Sequence, residues 1–148
     1  MGSTFVSLHC HIVFSTKNRV PSIASDWQGR LHEYLGGTVN GLDGFCQGVG
    51  GVADHVHLLI GLKSTHRLSD FMRELKKSSS SFVKSEFGLR NFSWQEGYGA
   101  FTVSPTSRPS VKKYIANQEQ HHHKKTFKEE LVYLLEQAGV EYDPKWLD

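Results

Sequence analysis

The chain has 148 residues, of which 22% are charged, and its formal net charge is only +2 with the histidines neutral. This length fits one compact domain with a hydrophobic core, which we expect to span residues 1–148. The small net charge excludes a protein that coats nucleic acid through overall basicity. No apolar run reaches the ~18 residues of a membrane span, no secretory signal pattern occurs, and the cysteines form no Cys-x-x-Cys pair. We therefore expect a cytoplasmic protein that does not contact membranes.

The first half of the chain predicts the order strand, helix, strand, strand. The segment FVSLHCHIVFST alternates as a strand. One face of that strand would carry Leu8, Cys10, Ile12 and Phe14, and the other would carry His9, His11 and Val13. A helix is predicted over 25–39, where apolar residues recur at helical spacing. Two strands over about 44–49 and 52–62 follow, joined through GVGGV as a hairpin-like connection.

The second half predicts a long helix, a fourth strand and two more helices. Apolar spacing indicates a helix over 68–87, and GYGAFTVS then supplies a strand. The order β-α-β-β-α-β is typical of the α+β ferredoxin-like (RRM-like) fold, a four-stranded antiparallel sheet with helices on one face. Beyond it we expect a helix that carries Tyr114. A last helix would begin at a capping box, Thr126 with Glu129, and end at Gly139.

The pair His55 and His57 is the first candidate functional feature. On an extended strand both imidazoles share one face, while Val56 points to the other. Neutral imidazole is the commonest protein metal ligand, and a buried pair without partners would leave polar nitrogens unsatisfied. The pattern therefore indicates a metal site, with hydrogen-bonded core histidines as the alternative.

A second polar pattern lies downstream, in SVKKYIANQEQHHHKKTF. If this stretch is helical, Tyr114 and Gln118 stand four residues apart on one face, which His121 and His122 continue. A phenol would then lie beside an amide that can bind a metal. An ordinary amphipathic helix with a half-buried tyrosine is the alternative.

Together these segments resemble the HUH transposases that use a single catalytic tyrosine (Y1), a group that includes transposases associated with repetitive extragenic palindromes. The resemblance covers most of the chain, in HIVFSTKNR, DHVHLLI, LKKSSSSF, FSWQEGYGAFTVS and YIANQEQHHHKKTF. It implies that His55, His57 and Gln118 are the metal ligands. It also implies that Tyr114 is the nucleophile.

The resemblance further implies an activity and partners. Tyr114 would attack a scissile phosphate of single-stranded DNA, form a 5′-phosphotyrosine and later allow strands to be rejoined, with Mg²⁺ or Mn²⁺ as cofactor. The DNA would have hairpin ends. The protein would be a homodimer in which Tyr114 and Gln118 of one chain meet His55 and His57 of the other.

Local basic and aromatic residues are candidates for DNA contacts, because the overall charge is small. The candidates are Lys17, Arg19, Arg73, Lys76, Lys77, Lys112, Lys113, Trp94 and His122. An exposed Trp94 could stack on an unpaired base. Ordinary solvated surface charge is the alternative for any one basic pair.

Two other function classes fit parts of the pattern. A ferredoxin-like module that binds single-stranded nucleic acid without catalysis would need exposed aromatic residues, but it gives no reason for histidines to converge on Gln118. A metal-dependent hydrolase that activates water would leave Tyr114 unused. Only the transposase would form a covalent protein–DNA adduct.

Overall fold

The computed structural model describes residues 2–122 and 124–147. Its main elements are β1 (Leu8–Ser15), α1 (Gln28–Gly41), β2 (Phe45–Val52), β3 (His55–Leu62), α2 (Leu68–Phe87), β4 (Gly99–Thr102), α3 (Arg108–Ala116), α4 (Gln118–His122) and α5 (Phe127–Ala138). The strands form one antiparallel sheet in the order β2-β3-β1-β4. This confirms the predicted ferredoxin-like order and the four-stranded α+β sheet.

The sheet has two different faces because side chains alternate along each strand. Ile12 and Phe14 of β1 lie on the face covered by α1 and α2, in the main hydrophobic core. The opposite face carries a smaller cluster of Leu59, Val103 and Ile115. Helix α3 packs on this second face, so the two faces bury two separate sets of side chains.

The glycines of GVGGV lie within β2 and allow α3 to approach it, which corrects the prediction that they form a connection. β2 runs to Val52, and the turn is at Ala53 and Asp54. A Cβ on Gly50 would lie 2.0 Å from the backbone oxygen of Ile115. Only glycine therefore permits this contact between strand and helix.

The last long helix begins and ends as its sequence predicts. The side chain of Thr126 accepts a hydrogen bond from the backbone of Glu129, whose carboxylate accepts one from the backbone of Thr126, and Gly139 ends α5 in the left-handed conformation. This cap fixes where α5 starts relative to the sheet. Among the described helices, none is long and apolar enough to cross a membrane.

Candidate metal and nucleophile site

The two histidines of β3 occupy the sheet face that α3 covers. His55 pairs with Ser15 and His57 with Val13 across the β1–β3 ladder, and the side chains of both histidines are fully buried. Since β3 is an interior strand, its backbone is fixed on both sides. The imidazoles are thus held in place by the sheet and are aimed at the C-terminal helices.

Four side chains converge at this point, and they could hold a metal ion. One nitrogen each of His55, His57 and His122 and one oxygen of Glu130 all lie within 4.8 Å of one another. Oε1 of Glu130 is 3.3 Å from Nε2 of His55, 2.9 Å from Nε2 of His57 and 3.0 Å from Nε2 of His122. We call these four residues the His/Glu cluster. Imidazole nitrogens and a carboxylate oxygen aimed at one point suit a divalent cation.

Gln118 lies at the edge of the same cluster, as the sequence predicts for its position. Its side chain is buried, and Oε1 is 3.3 Å from Nε2 of His55 and 3.1 Å from Nε2 of His122. The amide nitrogen donates to the backbone oxygen of Tyr114, one helical turn earlier. The amide oxygen is thereby directed at the cluster as a fifth possible ligand atom.

The other ring nitrogen of each β3 histidine also has a partner. Nδ1 of His55 is 2.7 Å from a carboxylate oxygen of Asp54, and Nδ1 of His57 is 2.7 Å from Nε2 of His11. Metal-ligating histidines generally have such a second partner, which fixes the ring and its tautomer. Asp54 and His11 therefore support the orientation of the two imidazoles.

Tyr114 joins the cluster through Glu130. Its hydroxyl donates to Oε2 of Glu130, whose other oxygen faces the three imidazoles. The phenol ring lies 6.0 Å, centroid to centroid, from both His57 and His11. The proposed nucleophile is therefore one carboxylate away from the candidate metal ligands.

Charge and burial shift the pKa values in the cluster in different directions. Burial favours neutral His55, but hydrogen bonds to Asp54 and Glu130 outweigh it and raise the pKa of His55 to about 8. Burial lowers the pKa of His57. Although burial favours protonated Glu130, hydrogen bonds from His122, His55 and His57 hold its pKa far below the usual range. Burial and the Glu130 carboxylate raise the pKa of Tyr114 well above that of a free tyrosine.

All of these groups belong to one chain. The expected arrangement placed Tyr114 and Gln118 of one subunit against His55 and His57 of another. That arrangement between subunits stays a prediction. Within the chain, α3 and α4 fold over their own sheet, where Gly50 lets α3 lie directly on β2. In this structure the site is assembled within a single chain.

Several residues expected to contact DNA have other roles in the structure. Trp94 is only 7% exposed, and its indole N–H donates to Ser79 within the core, so the prediction of an exposed stacking ring is wrong. His122 is one of the four residues of the His/Glu cluster. The ammonium of Lys76 donates to the backbone oxygens of residues 95–97, and the guanidinium of Arg19 donates to the backbone oxygen of Leu147.

The remaining basic candidates lie at the surface in three places. Lys112 and Lys113 are exposed on α3, directly before Tyr114 in the sequence. Lys17 is exposed at the end of β1 and lines a cleft of about 530 Å³. Arg73 and Lys77 are exposed on α2, on the opposite face of the sheet, and Arg73 forms ion pairs with neighbouring acids. The first two places therefore belong to elements that also carry or adjoin the candidate site, whereas α2 lies on the other face of the sheet.

Sequence reasoning missed Glu130 and gave His122 a different role. A signal was present for Glu130, because it follows Phe127 by three residues on the apolar side of α5, where an acidic side chain is unusual. Phe127 and Glu130 are both buried in the structure. A buried carboxylate needs a partner, and here the partners are imidazoles and a phenol.

Comparison with known proteins identifies the family. The family model described as “Transposase IS200 like” matches residues 4–118. The chain belongs to the IS200-like transposase family. As an IS200-like transposase it is an enzyme of DNA transposition. The matched segment includes His55, His57, Tyr114 and Gln118, but it ends before His122 and Glu130.

Individual relatives agree with this family. The ISDra2 transposase TnpA of Deinococcus radiodurans is 29% identical over 120 residues, which cover 75% of this transposase and 84% of the relative. A crystal structure from Deinococcus radiodurans R1, described as a candidate transposase, is 26% identical with a TM-score of 0.65 and covers 80% of this chain and 96% of its own. A tyrosine transposase associated with REP sequences, solved with a REP hairpin, shares the fold at 15% identity and a TM-score of 0.56. This match covers 78% of this chain and 68% of the relative.

Proposed function

We propose that this transposase cuts and rejoins single-stranded DNA with Tyr114 as nucleophile and a divalent cation held at the His/Glu cluster. The observation that carries the proposal is the contact of the Tyr114 hydroxyl with Glu130, which itself faces three imidazoles. This contact supports the proposal, because the Tyr114 hydroxyl lies one carboxylate away from groups that suit a cation within the same chain. Neither a plain binding module nor a water-activating hydrolase gives a reason for a half-buried tyrosine hydroxyl to contact this carboxylate.

The residues present fit a divalent cation. His55, His57 and Gln118 offer the two nitrogens and one oxygen expected for the family, and His122 and Glu130 add one further nitrogen and one oxygen. Of the two metals expected, Mn²⁺ suits this set better than Mg²⁺, because imidazole ligands favour transition metals. When bound, the cation would act as a Lewis acid toward a phosphate oxygen and offset negative charge in the transition state.

The chain's own groups define the cleavage step. Oη of Tyr114 forms a bond to phosphorus as the bond from phosphorus to the 3′ oxygen breaks, which leaves a 5′-phosphotyrosine and a 3′ hydroxyl after that oxygen takes a proton from water. Oε2 of Glu130 already accepts the hydrogen bond from Tyr114, so we assign it the role of orienting the hydroxyl, and the phenolic proton passes to water as the new bond forms. Since the raised pKa of Tyr114 keeps its hydroxyl protonated at neutral pH, the proton leaves only as the new bond forms.

The DNA would approach the face that carries α3. Lys112 and Lys113 are exposed beside Tyr114, and Lys17 is exposed near the end of β1 at His55. Their positive charges would hold phosphates on either side of the cut. One solved relative of the same fold is bound to a REP hairpin, and we propose that hairpin ends are also part of this transposase's substrate.

We also propose a homodimer, as the family resemblance implies. Among the residues that the structure describes, the edge strands β2 and β4 each leave one row of backbone groups without a strand partner, and such edges can pair across a two-fold axis. The dimer is not needed to assemble the His/Glu cluster with Tyr114. Its role would be to bring two DNA ends together.

The test is a covalent adduct. Wild-type protein is incubated with Mn²⁺ and a labelled single-stranded oligonucleotide that carries a hairpin, and adducts are separated on a denaturing gel. We expect an adduct from the wild type and none from Tyr114→Phe, which removes only the hydroxyl. Tyr133→Phe is the matched control, because Tyr133 is half-exposed on α5, and it should form the adduct normally. An adduct with Tyr114→Phe would refute the nucleophile.

A further inference from the structure

His11 is a buried histidine that the proposed chemistry does not use directly. It lies on β1 with 5% of its surface exposed, on the same face as His57. Its Nε2 is 2.7 Å from Nδ1 of His57, and the two ring centroids are 5.0 Å apart. Phe101 and Tyr114 pack edge-on against it, with centroids at 6.3 and 6.0 Å. The ring is therefore held in contact with a candidate metal ligand.

The hydrogen bond between these two rings requires that one nitrogen donates and the other accepts. Nε2 of His57 lies 2.9 Å from Oε1 of Glu130, and a proton on Nε2 suits that contact. Neutral His57 then has a bare Nδ1, so His11 must donate. A cation at Nε2 requires the opposite arrangement, because the lone pair of Nε2 must be free. His57 then carries its proton on Nδ1, and His11 must accept.

We propose that His11 is a positioning residue that allows His57 to change tautomer, donating to Nδ1 of His57 in the metal-free chain and accepting from it when a cation is held at Nε2. The inference rests on the proposed metal site. Each neutral ring carries one proton in both states. On both rings that proton moves from Nε2 to Nδ1 by exchange with solvent protons, so the total number of protons does not change.

This role explains why position 11 carries an imidazole. Asp54, the partner of His55, can only accept a hydrogen bond when ionised. An imidazole can donate or accept, and it adds no second negative charge beside Glu130. Since burial disfavours a charged ring, His11 can serve both states as a neutral group.

His9 provides a matched control on the same strand. It lies two residues from His11 on the same face, but its ring nitrogens contact Gln47 and Arg108. Replacing His9 thus changes a histidine of β1 while leaving the contact between His11 and His57 in place.

The first measurement is Mn²⁺ affinity, followed by electron paramagnetic resonance of the free ion. We expect His11→Phe to weaken binding about 10–100-fold, as loss of a ligand's hydrogen-bond partner generally does. His11→Gln should recover most of the affinity, because an amide can also donate or accept. His9→Phe should bind as the wild type does. Wild-type protein that binds no Mn²⁺ would overturn both this inference and the proposed metal site, whereas wild-type affinity in His11→Phe would overturn this inference alone.

The second measurement needs no variant and so does not depend on how His11→Phe folds. Long-range ¹H–¹⁵N NMR correlations distinguish the two neutral tautomers of each histidine. In wild-type protein we expect His11 and His57 to carry the proton on Nε2 without metal, and on Nδ1 after addition of Zn²⁺ as a diamagnetic probe. Tautomers that stay the same on both rings would overturn the inference.

Discussion

Substituting Gly50 by alanine tests whether α3 must lie directly on β2 to position Tyr114, the proposed nucleophile. The added Cβ would lie 2.0 Å from the backbone oxygen of Ile115 and 2.8 Å from its carbonyl carbon. A carbon–oxygen contact needs about 3.3 Å, so α3 would have to retreat by about 1.3 Å. Overpacking of this kind costs about 1–3 kcal/mol. For a chain of this size that corresponds to a decrease in Tm of roughly 2–12 °C.

The effect on catalysis should exceed the effect on stability. Tyr114 and Ile115 are neighbours on α3, and a misplacement of about 1 Å can reduce a rate by about 10²-fold. Adduct formation and thermal unfolding are measured together below the Tm of the variant. Gly37→Ala is the control, since Gly37 is exposed in α1 with no atom within 4 Å of an added Cβ; it should preserve adduct formation and raise the Tm slightly, because alanine favours the helix. A Gly50→Ala protein with wild-type Tm and adduct yield would refute the argument.

Three further predictions concern pH, a loop and subunit exchange. Because the pKa of His55 is raised to about 8, metal-free protein should lose stability as the pH rises from 6.5 through 8. Since a metal needs the neutral ring, Mn²⁺ affinity should decrease about tenfold per pH unit below 8. Mn²⁺ binding that does not depend on pH would contradict this. Lys76→Met should lower Tm by a few degrees, as it removes the donor to residues 95–97, whereas Lys77→Met should not; equal Tm values would contradict this. A mixture of Tyr114→Phe and His57→Ala proteins should form no adduct even as verified heterodimers, since the Tyr114 hydroxyl and the His57 imidazole belong to the site of one chain. Restored adduct formation would show a site shared between subunits.

Much of the fold could be predicted because it depends on local patterns. Alternation in β1, helical spacing in α2 and the capping box at Thr126 each need only a few neighbouring residues. The prediction of a turn at GVGGV is wrong because glycine is common in turns. Position 50 is glycine because helix α3, more than 60 residues away in sequence, packs directly against it. A contact of that kind leaves no periodic pattern to read.

The candidate site could be predicted only in part, for a similar reason. His55, His57, Tyr114 and Gln118 follow motif spacing, and the structure brings all four together. Glu130 lies on the apolar side of an amphipathic helix, which indicates that it is buried, but its partners depend on how α5 docks against the sheet. The docking angle of a helix is a tertiary property that composition and spacing do not determine.

The contacts between Glu130 and the three imidazoles affect how the proposed activity would respond to the concentration of metal ions in the cell. In many small metalloproteins the ion drives folding, so its loss unfolds the chain. Here the candidate ligands also contact one another directly, and these contacts dock helix α5 on the sheet through Glu130. With the proposed cation at this site, the ion would exchange in folded protein, and the fraction of chains competent for the proposed cleavage would follow the free concentration of divalent cation. A cell could thus alter the frequency of transposition through its ion balance, with no change in the amount of enzyme.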